Sequence, residues 1–349
     1  MSAAPLTIAV DAGGADLGAA EVARGAARAA QEHGVRVLLF GDGDLAAPSP
    51  DVQVIDAPRS IAKDPDPVRA VRAHPDASVV QAVQAVAEDR AAGLVSGGST
   101  GPALAAAIFR IKRASGIHRP ALAIPVPAFE HPFLLLDVGA NVDVRPEQLV
   151  QFAHMGAAYA QLVLGVERPR VALLSNGEEP SKGTPDVVEA HERLAGEAGT
   201  GLNFVGNVEG LSLLAGGADV VVCDGFTGNV ALKVMEGTSA TVMGAVRRVA
   251  TASARGKAGG LLLRPALREM RDSIDPEAHG GAVLLGLRKP VVVPHGSFGE
   301  RGIAAAIGIA ARAAREDLTG RTHTALSAGG ALRRRPEASA APGSVSDRP

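Results

Sequence analysis

The run Ala218-Asp-Val-Val-Val-Cys-Asp-Gly-Phe-Thr-Gly-Asn229 places a carboxylate, a hydroxyl and an amide (Asp224, Thr227, Asn229) directly after four apolar residues. Val220 to Cys223 read as a buried strand, Asp224-Gly225 as a tight turn, and the residues from Val230 onward as a helix. Thr227, Gly228 and Asn229 then occupy the first helical turn, where unpaired N–H groups and the positive end of the helix dipole favour an anion or a developing oxyanion. The same device recurs at Ser96-Gly-Gly-Ser-Thr-Gly101 and at His295-Gly-Ser-Phe-Gly299, each after an apolar run and before an Ala-rich helical pattern. Three polar glycine loops at strand ends predict one anion-binding crevice. Lys182, alone in the loop Ser175-Asn-Gly-Glu-Glu-Pro-Ser-Lys-Gly183, stands where ligand sites of α/β sheets form and is the candidate cation.

Other chemistries lack their residues. There is no G-x-x-x-x-G-K-[ST] loop, no H-E-x-x-H helix and no G-x-S-x-G elbow. Gly41-Asp-Gly-Asp-Leu-Ala46 formally matches a dinucleotide fingerprint, but it follows the second strand, and Pro48 and Pro50 cut short the helix that would receive a pyrophosphate. Of the nine His, only His279 and His295, each beside a glycine, are functional candidates. Cys223 ends an apolar strand and reads as a small core hydrophobe rather than a nucleophile. No residue set calls for a metal.

The elements that must position these loops follow from periodicity. Strands are expected at Thr7–Val10, Val35–Phe40, Val52–Ile55, Gly93–Val95, Ala121–Val126, Phe133–Asp137, Arg170–Leu174, Asn203–Val205, Val220–Cys223 and Val291–Val293. Helical patterns intervene, at Ala19–His33, Ser78–Ala92, Gly101–Arg113, Pro146–Leu164, Pro185–Gly196, the residues up to Ala252, and Gly302 to about Asp317. Only the pair at 121–137 lacks room for a crossover helix and is expected to be antiparallel. The alternation predicts an α/β fold, a doubly wound, mostly parallel sheet with helices on both faces, as one catalytic unit over 1–320. From about Arg321 periodicity vanishes, and the reading there is a disordered tail over 321–349.

A chain of 349 residues with 46% hydrophobic and 21% charged residues has the balance of a globular protein. A net charge of −2 and 3% aromatics, with no Trp, argue against nucleic-acid binding. A single Cys excludes an internal disulfide and fits a reducing compartment. No basic leader and no run of 18 apolar residues is present, which predicts a cytoplasmic protein.

Seven motifs, in order along the chain, carry a resemblance: Asp11-Ala-Gly-Gly14, Ser96-Gly-Gly-Ser-Thr-Gly101, Leu135-Leu-Asp-Val-Gly-Ala-Asn-Val-Asp143, Gly177-Glu-Glu-Pro-Ser-Lys-Gly183, Phe204-Val-Gly-Asn-Val-Glu-Gly210, Asp219 to Asn229 and Gly280-Gly-Ala-Val-Leu-Leu-Gly286. From about Ile8 to Arg315 the sequence resembles the bacterial phosphate acyltransferase of phospholipid synthesis, the PlsX family. Ser99 stands where that family usually carries an asparagine. The resemblance implies a fold like those of phosphotransacetylases and isopropylmalate dehydrogenase-like enzymes. It also implies transfer of a long-chain acyl group from acyl carrier protein to inorganic phosphate, without a cofactor, by a homodimer that supplies a membrane glycerol-3-phosphate acyltransferase. Phosphate is then the nucleophile, and the site needs an anion pocket, an oxyanion site and a cation. On this reading Lys182 holds phosphate or steadies the departing thiolate, and Thr227, Gly228 and Asn229 stabilise the oxyanion. Ser99, Thr100, Gly101 and Asp11 belong to the phosphate loop. Asp224 orients Lys182 or a phosphate proton, while Asn141, His279, His295 and Ser297 are further candidates. A CoA-dependent phosphotransacetylase and a non-catalytic scaffold on the same fold are the competing readings.

One amphipathic segment, about 253–278, lies outside this scheme. Within Gly259–Ile274, Leu263, Leu267, Met270 and Ile274 share one helical face, Arg264, Arg268 and Arg271 share another, and Pro265 is expected near the first turn. An ordinary packing helix would look the same, yet a basic face beside an apolar one also suits reversible docking on the anionic inner membrane surface.

Overall fold

The computed structural model describes residues 5–45, 47, 49–98, 100–128, 131–197, 201–273 and 275–333. Its strands are β1 (Leu6–Asp11), β2 (Val35–Gly41), β3 (Val52–Asp56), β4 (Gly93–Ser96), β5 (Ala121–Val126), β6 (Phe133–Leu136), β7 (Arg170–Ser175), β8 (Asn203–Glu209), β9 (Val220–Val222), β10 (Ala282–Leu285) and β11 (Val291–Val293). All join one sheet in the order β3-β2-β1-β4-β11-β10-β5-β6-β9-β7-β8. The helices are α1 (Ala19–His33), α2 (Pro67–Ala73), α3 (Ser78–Ala87), α4 (Thr100–Arg110), α5 (Pro146–Tyr159), α6 (Pro185–Gly196), α7 (Gly225–Thr251), α8 (Ala254–Ser273), α9 (Glu300–Arg315) and α10 (Leu318–Ala328).

The sheet is mostly parallel, but it is parallel in two blocks. β3, β2, β1, β4 and β11 run one way, while β6, β9, β7 and β8 run the other. Between them β10 is antiparallel to both β11 and β5, and β5 is antiparallel to β6 as its short connection requires. Strand β10 is the strand that the sequence reading leaves out, as it does helices α2 and α10. Four residues, Ala282-Val-Leu-Leu285, sit between Gly281 and Gly286, too short a run to register as a strand on its own.

Apolar strand residues alternate between two cores. Ile8, Val10, Val37 and Leu39 face α1 and α9, whereas Ala9, Phe40 and Leu94 face α3 and α4. Small residues let α1 approach α9: a Cβ added at Gly25 would lie 2.6 Å from the Cβ of Ile303. Such contacts fix the helices on the sheet and hence the loops at the strand ends.

Two further expectations are corrected. A tail from about Arg321 gives way to helix α10, which packs on α5 and buries Thr322 and Leu326. Its Thr-, Ser- and Ala-rich sequence looks irregular because its stability comes from that packing rather than from propensity. Residues 334–349 lie outside the described residues. Helix α8 begins at Ala254, so Pro265 sits well inside it and not in the first turn. A solvent-exposed helix tolerates this, because water can satisfy the carbonyl that Pro leaves without a donor. No helix of the described residues is long and apolar enough to cross a membrane.

Candidate functional site

Each parallel block gathers polar loops at the carboxyl ends of its own strands. At the first block, Asp11 ends β1 and is 1% exposed. One carboxylate oxygen accepts from the N–H of Gly13 (2.9 Å), and the other from Ser96 Oγ at the end of β4 (2.7 Å). Ser78, at the start of α3, also bonds this carboxyl. Burial raises the Asp11 pKa, and these donors counter part of the rise. Asp11 therefore braces the loops after β1 and β4 from within and, 1% exposed, presents no carboxylate to a ligand. Gly98 passes so close that an added Cβ would sit 2.5 Å from Gly13 O. The N–H groups of Thr100 and Gly101, on the first turn of α4, meet no acceptor among the described residues. Ser99 lies outside the described residues.

The loop after β11 looks the same in sequence but is already filled. Gly299 N–H donates to Glu277 Oε1 (3.0 Å) and Glu300 N–H to Glu21 Oε1 (2.8 Å), so two carboxylates of the chain occupy the N-terminus of α9. His295 and Ser297 are exposed and bond each other, Nδ1 to Oγ at 2.8 Å. His279 is half-buried behind this loop, which pushes its pKa down. The loop does belong with the first group, since Asp16 N–H donates to Gly296 O (2.9 Å).

The second block brings together the loops after β6, β9 and β7. Asp137 is fully buried, and its two oxygens accept from the N–H groups of Leu122, Gly139, Ala140 and Asn141 and from Asn141 Nδ2, at 2.7 to 3.1 Å. Burial raises its pKa and these donors oppose the rise. Asn141 is spent on Asp137 and on Pro120 O (2.8 Å), and its own carbonyl accepts from Gly225 N–H (2.7 Å). Asn141 is thus a brace between β5, β6 and α7, not a ligand.

Asp224 caps α7: its carboxylate accepts from Thr227 N–H (2.8 Å) and Thr227 Oγ1 (2.6 Å). No ion pair or hydrogen bond joins it to Lys182 among the described residues, so it does not orient that ammonium. Gly228 N–H bonds Asp224 O (2.9 Å), which leaves Phe226 N–H as the donor of this turn that meets no acceptor among the described residues. The expected oxyanion donors Thr227 and Gly228 are therefore occupied through their backbones. Asn229 is exposed and donates one amide hydrogen to Val138 O (3.2 Å), keeping the other. Gly228 allows the close fit, because an added Cβ would lie 1.9 Å from Asp137 O.

Lys182 is exposed on the neighbouring loop, on the same sheet edge as Asp224 because β7 is parallel to β9. Its loop is built by a bond from its own N–H to Glu179 O (3.0 Å) and by Gly183 at φ +113, a conformation that favours glycine. Sequence reasoning missed what anchors this loop. Asn207 Nδ2 donates to Glu179 O (2.9 Å), and Asn207 Oδ1 accepts from His191 Nδ1 (2.9 Å). Since the Asn207 amide nitrogen faces a carbonyl, its oxygen must face the ring, which fixes the proton on Nδ1.

Cys223 is 2% exposed, and burial, followed by the charges of Asp224 and Asp137, pushes its thiol pKa well above the ordinary range. A thiolate nucleophile is not available there.

No hydrogen bond among the described residues joins the two loop groups, which end oppositely directed blocks of the sheet.

A family model described as "Fatty acid synthesis protein" matches residues 6–321. Among curated relatives, the phosphate acyltransferase of Thermobifida fusca is 44% identical over 310 residues, covering 86% of this chain and 86% of that protein. The phosphate acyltransferase of Moorella thermoacetica is 42% identical over 320 residues, covering 90% and 94%. Among solved structures, a phosphotransacetylase from Streptococcus pyogenes superposes with a TM-score of 0.59 at 21% identity, covering 89% of this chain and 94% of that one. EutD phosphotransacetylase from Staphylococcus aureus gives 0.57 at 18%, with the same coverage. These structural likenesses bear on the fold.

Proposed function

Because the chain belongs to the fatty acid synthesis protein family, whose curated relatives are phosphate acyltransferases, we propose that it moves a long-chain acyl group from acyl carrier protein to inorganic phosphate. Phosphate oxygen attacks the thioester carbon, the C–S bond breaks, and acyl phosphate and the free carrier thiol leave. The observation that carries this reading is a sheet edge where an exposed Lys182 and an unpaired Phe226 N–H lie on adjacent loops while the one thiol, Cys223, is buried and protonated. Such an edge can stabilise charge on an attacking anion and on a tetrahedral oxyanion, and it offers no nucleophile of its own. Phe226 N–H and the spare Asn229 hydrogen serve the oxyanion, and Lys182 serves phosphate or the leaving thiolate. The N–H groups of Thr100 and Gly101, which meet no acceptor among the described residues, offer phosphate a second seat at the other block of the sheet.

The test is phosphate-dependent release of carrier thiol from acyl-loaded acyl carrier protein. Turnover should need inorganic phosphate, and no acyl adduct should appear on the protein in single-turnover mass spectrometry. Thiol release that ignores phosphate, or a trapped acyl-enzyme, would overturn the reading.

The reading extends to a homodimer that works in the cytoplasm, docks on the inner membrane face and hands its product to a membrane glycerol-3-phosphate acyltransferase. Support comes from the α7–α8 hairpin, where Leu261, Leu262 and Leu263 are 67%, 82% and 59% exposed, with Arg264 and Arg268 also exposed and Leu267 and Met270 half-buried. Ile274 lies outside the described residues. Vesicle co-sedimentation of Leu262→Glu against wild type, with oligomeric state measured separately, tests docking: equal pelleting with anionic vesicles would remove this stretch of α8 as the anchor.

A further inference from the structure

A second concentration of charge lies beside the Asp137 and Asp224 loops and takes no part in the chemistry above. Between the end of α4 and the start of β5 runs Lys112-Arg-Ala-Ser-Gly-Ile-His-Arg119, three cations and no carboxylate in eight residues. The chain returns to it after α10, where Arg333 N–H donates to Gly116 O (2.8 Å). An open cleft of about 810 Å³ results, walled by Lys112, Arg113, His323 and Arg333 and floored by Ile108, Ile117 and Leu332. Arg145, at the head of α5, adds its charge from the side: the guanidinium groups of Arg113, Arg145 and Arg333 all act on the His118 ring, with Glu147 the one opposing carboxylate.

Lys112, Arg113, Arg119, Arg145 and Arg333 are all exposed, and none forms an ion pair among the described residues. In a chain of net charge −2, three cations lining one cleft with Arg145 acting from beside it, none in an ion pair among the described residues, are a local excess that costs self-repulsion and needs a counterpart. The backbone supplies a second sign. Lys112 holds φ +68, the left-handed position past a helix end that glycine occupies at no cost, and a side chain there is tolerated at roughly 1 kcal/mol. That turn is clamped by Arg288 N–H to Lys112 O (3.1 Å) and points its lysine to solvent.

The cleft is joined to the site by a short covalent and hydrogen-bonded path. Residues 116–120 lead into β5, Pro120 O accepts from Asn141 Nδ2, and Asn141 O accepts from Gly225 N–H, one residue before Phe226. The cations stand on an open rim over an apolar floor, not in a closed polar pocket, and this arrangement fits an acidic protein surface with an apolar residue at its centre better than a small phosphorylated molecule. We propose that the Lys112–Arg113–Arg333 cleft, with Arg145, is where an acidic face of the protein carrying the acyl group docks to present its thioester to the Phe226 turn. This rests on the proposed function in one respect, that the donor is carried by a protein.

The experiment compares wild type with Lys112→Glu/Arg333→Glu and with Arg36→Glu, a charge reversal on an exposed residue of β2 remote from the cleft. Folding is checked by thermal melting. Steady-state rates are measured with acyl-loaded acyl carrier protein and with the same acyl group on a carrier-free pantetheine thioester. The double variant should raise KM for the carrier-borne donor by about tenfold or more, flatten its salt dependence, and leave kcat and the pantetheine rate unchanged, while Arg36→Glu should match wild type. Equal KM values for double variant and wild type would overturn the proposal, as would an equal loss with both donors. A parallel binding assay with fluorescent apo-carrier and no phosphate separates the two ideas. Binding lost in the double variant supports the docking surface even if no acyl phosphate forms, and binding unchanged refutes it even if acyl transfer is real. Competition by inorganic pyrophosphate at equal charge concentration would reassign the cleft to a small polyanion.

Discussion

Replacing Asp224 separates a cap from a catalyst. Its carboxylate accepts from Thr227 N–H at 2.8 Å and Thr227 Oγ1 at 2.6 Å, and no cation among the described residues pairs with it. A cap residue changed to Ala costs about 1 kcal/mol, within a range of roughly 0.5–2, while Asn caps about as well as Asp. The Asn variant loses only the charge at the positive helix end, about 0.3–1 kcal/mol, which corresponds to roughly twofold to fivefold in an equilibrium. If Asp224 acts by holding the first turn of α7, Asp224→Ala should melt earlier by about 1–2 kcal/mol. It should also lose on the order of a hundredfold in kcat, because the Phe226 N–H is no longer held in place. Asp224→Asn should stay within about fivefold of wild type in kcat. The assay is phosphate-dependent thiol release beside urea denaturation for the three proteins. An Asn variant as inactive as the Ala variant, yet as stable as wild type, would show that the carboxylate takes part in the reaction and would refute the capping argument.

Lys182→Ala should lower kcat by on the order of a hundredfold with little change in melting, since Lys182 is exposed and its loop is held by backbone bonds; wild-type turnover would remove it from the site. Cys223→Ala should keep its activity, and loss of turnover in a folded variant would restore the thiol as a candidate. Gly228→Ala would force a Cβ to 1.9 Å from Asp137 O and 2.8 Å from Cys223 Sγ, so it should cost about 3 kcal/mol or more in urea denaturation. Asp11→Asn tests the buried carboxyl by pH. Burial raises the Asp11 pKa above 3.8, so the folded protein keeps a proton that the unfolded chain has released. Its contribution to stability is then largest below 3.8 and is lost as pH rises through the folded value. The stability of wild type minus that of Asp11→Asn should therefore fall as pH climbs from about 4 and then level off, and a difference that grows with pH would contradict the burial argument.

Most strands were legible because their β-branched runs are bounded by breaking or polar residues, as Val220–Val222 is by Asp219 and Val291–Val293 is by Pro290 and Pro294. Strand direction was legible only for the β5–β6 pair, whose short connection makes it antiparallel. Local pattern reports that a segment is buried on both faces, not which neighbour it finds, and the reversal at β10 depends on its pairing with β5, Val283 beside Ala123, far away in the chain. Helix α10 was hidden for the same reason, its order coming from Thr322 and Leu326 against α5 rather than from its own residues.

The polar loops were legible in their positions and less so in their hydrogen-bond partners. Glycine loops after strands mark helix N-termini, and all three were located correctly. Whether such a terminus is open depends on side chains that sequence distance conceals: Glu21 reaches Glu300 N–H across 279 residues and closes the third loop to anions. The strand-end aspartates show a related inversion. Asp224 reads as a catalytic carboxylate and Asp11 as part of the phosphate loop in the sequence, yet these two, like Asp137, accept hydrogen bonds from donors of the loops around them. On the proposed function this arrangement has a reason. A carboxylate facing the bound anion would repel it, whereas one turned inward satisfies buried donors and fixes the backbone, leaving outward N–H groups such as that of Phe226, and Lys182, for the anion. On that proposal the aspartates serve as scaffold, and much of the reacting surface is backbone that no side-chain pattern can announce.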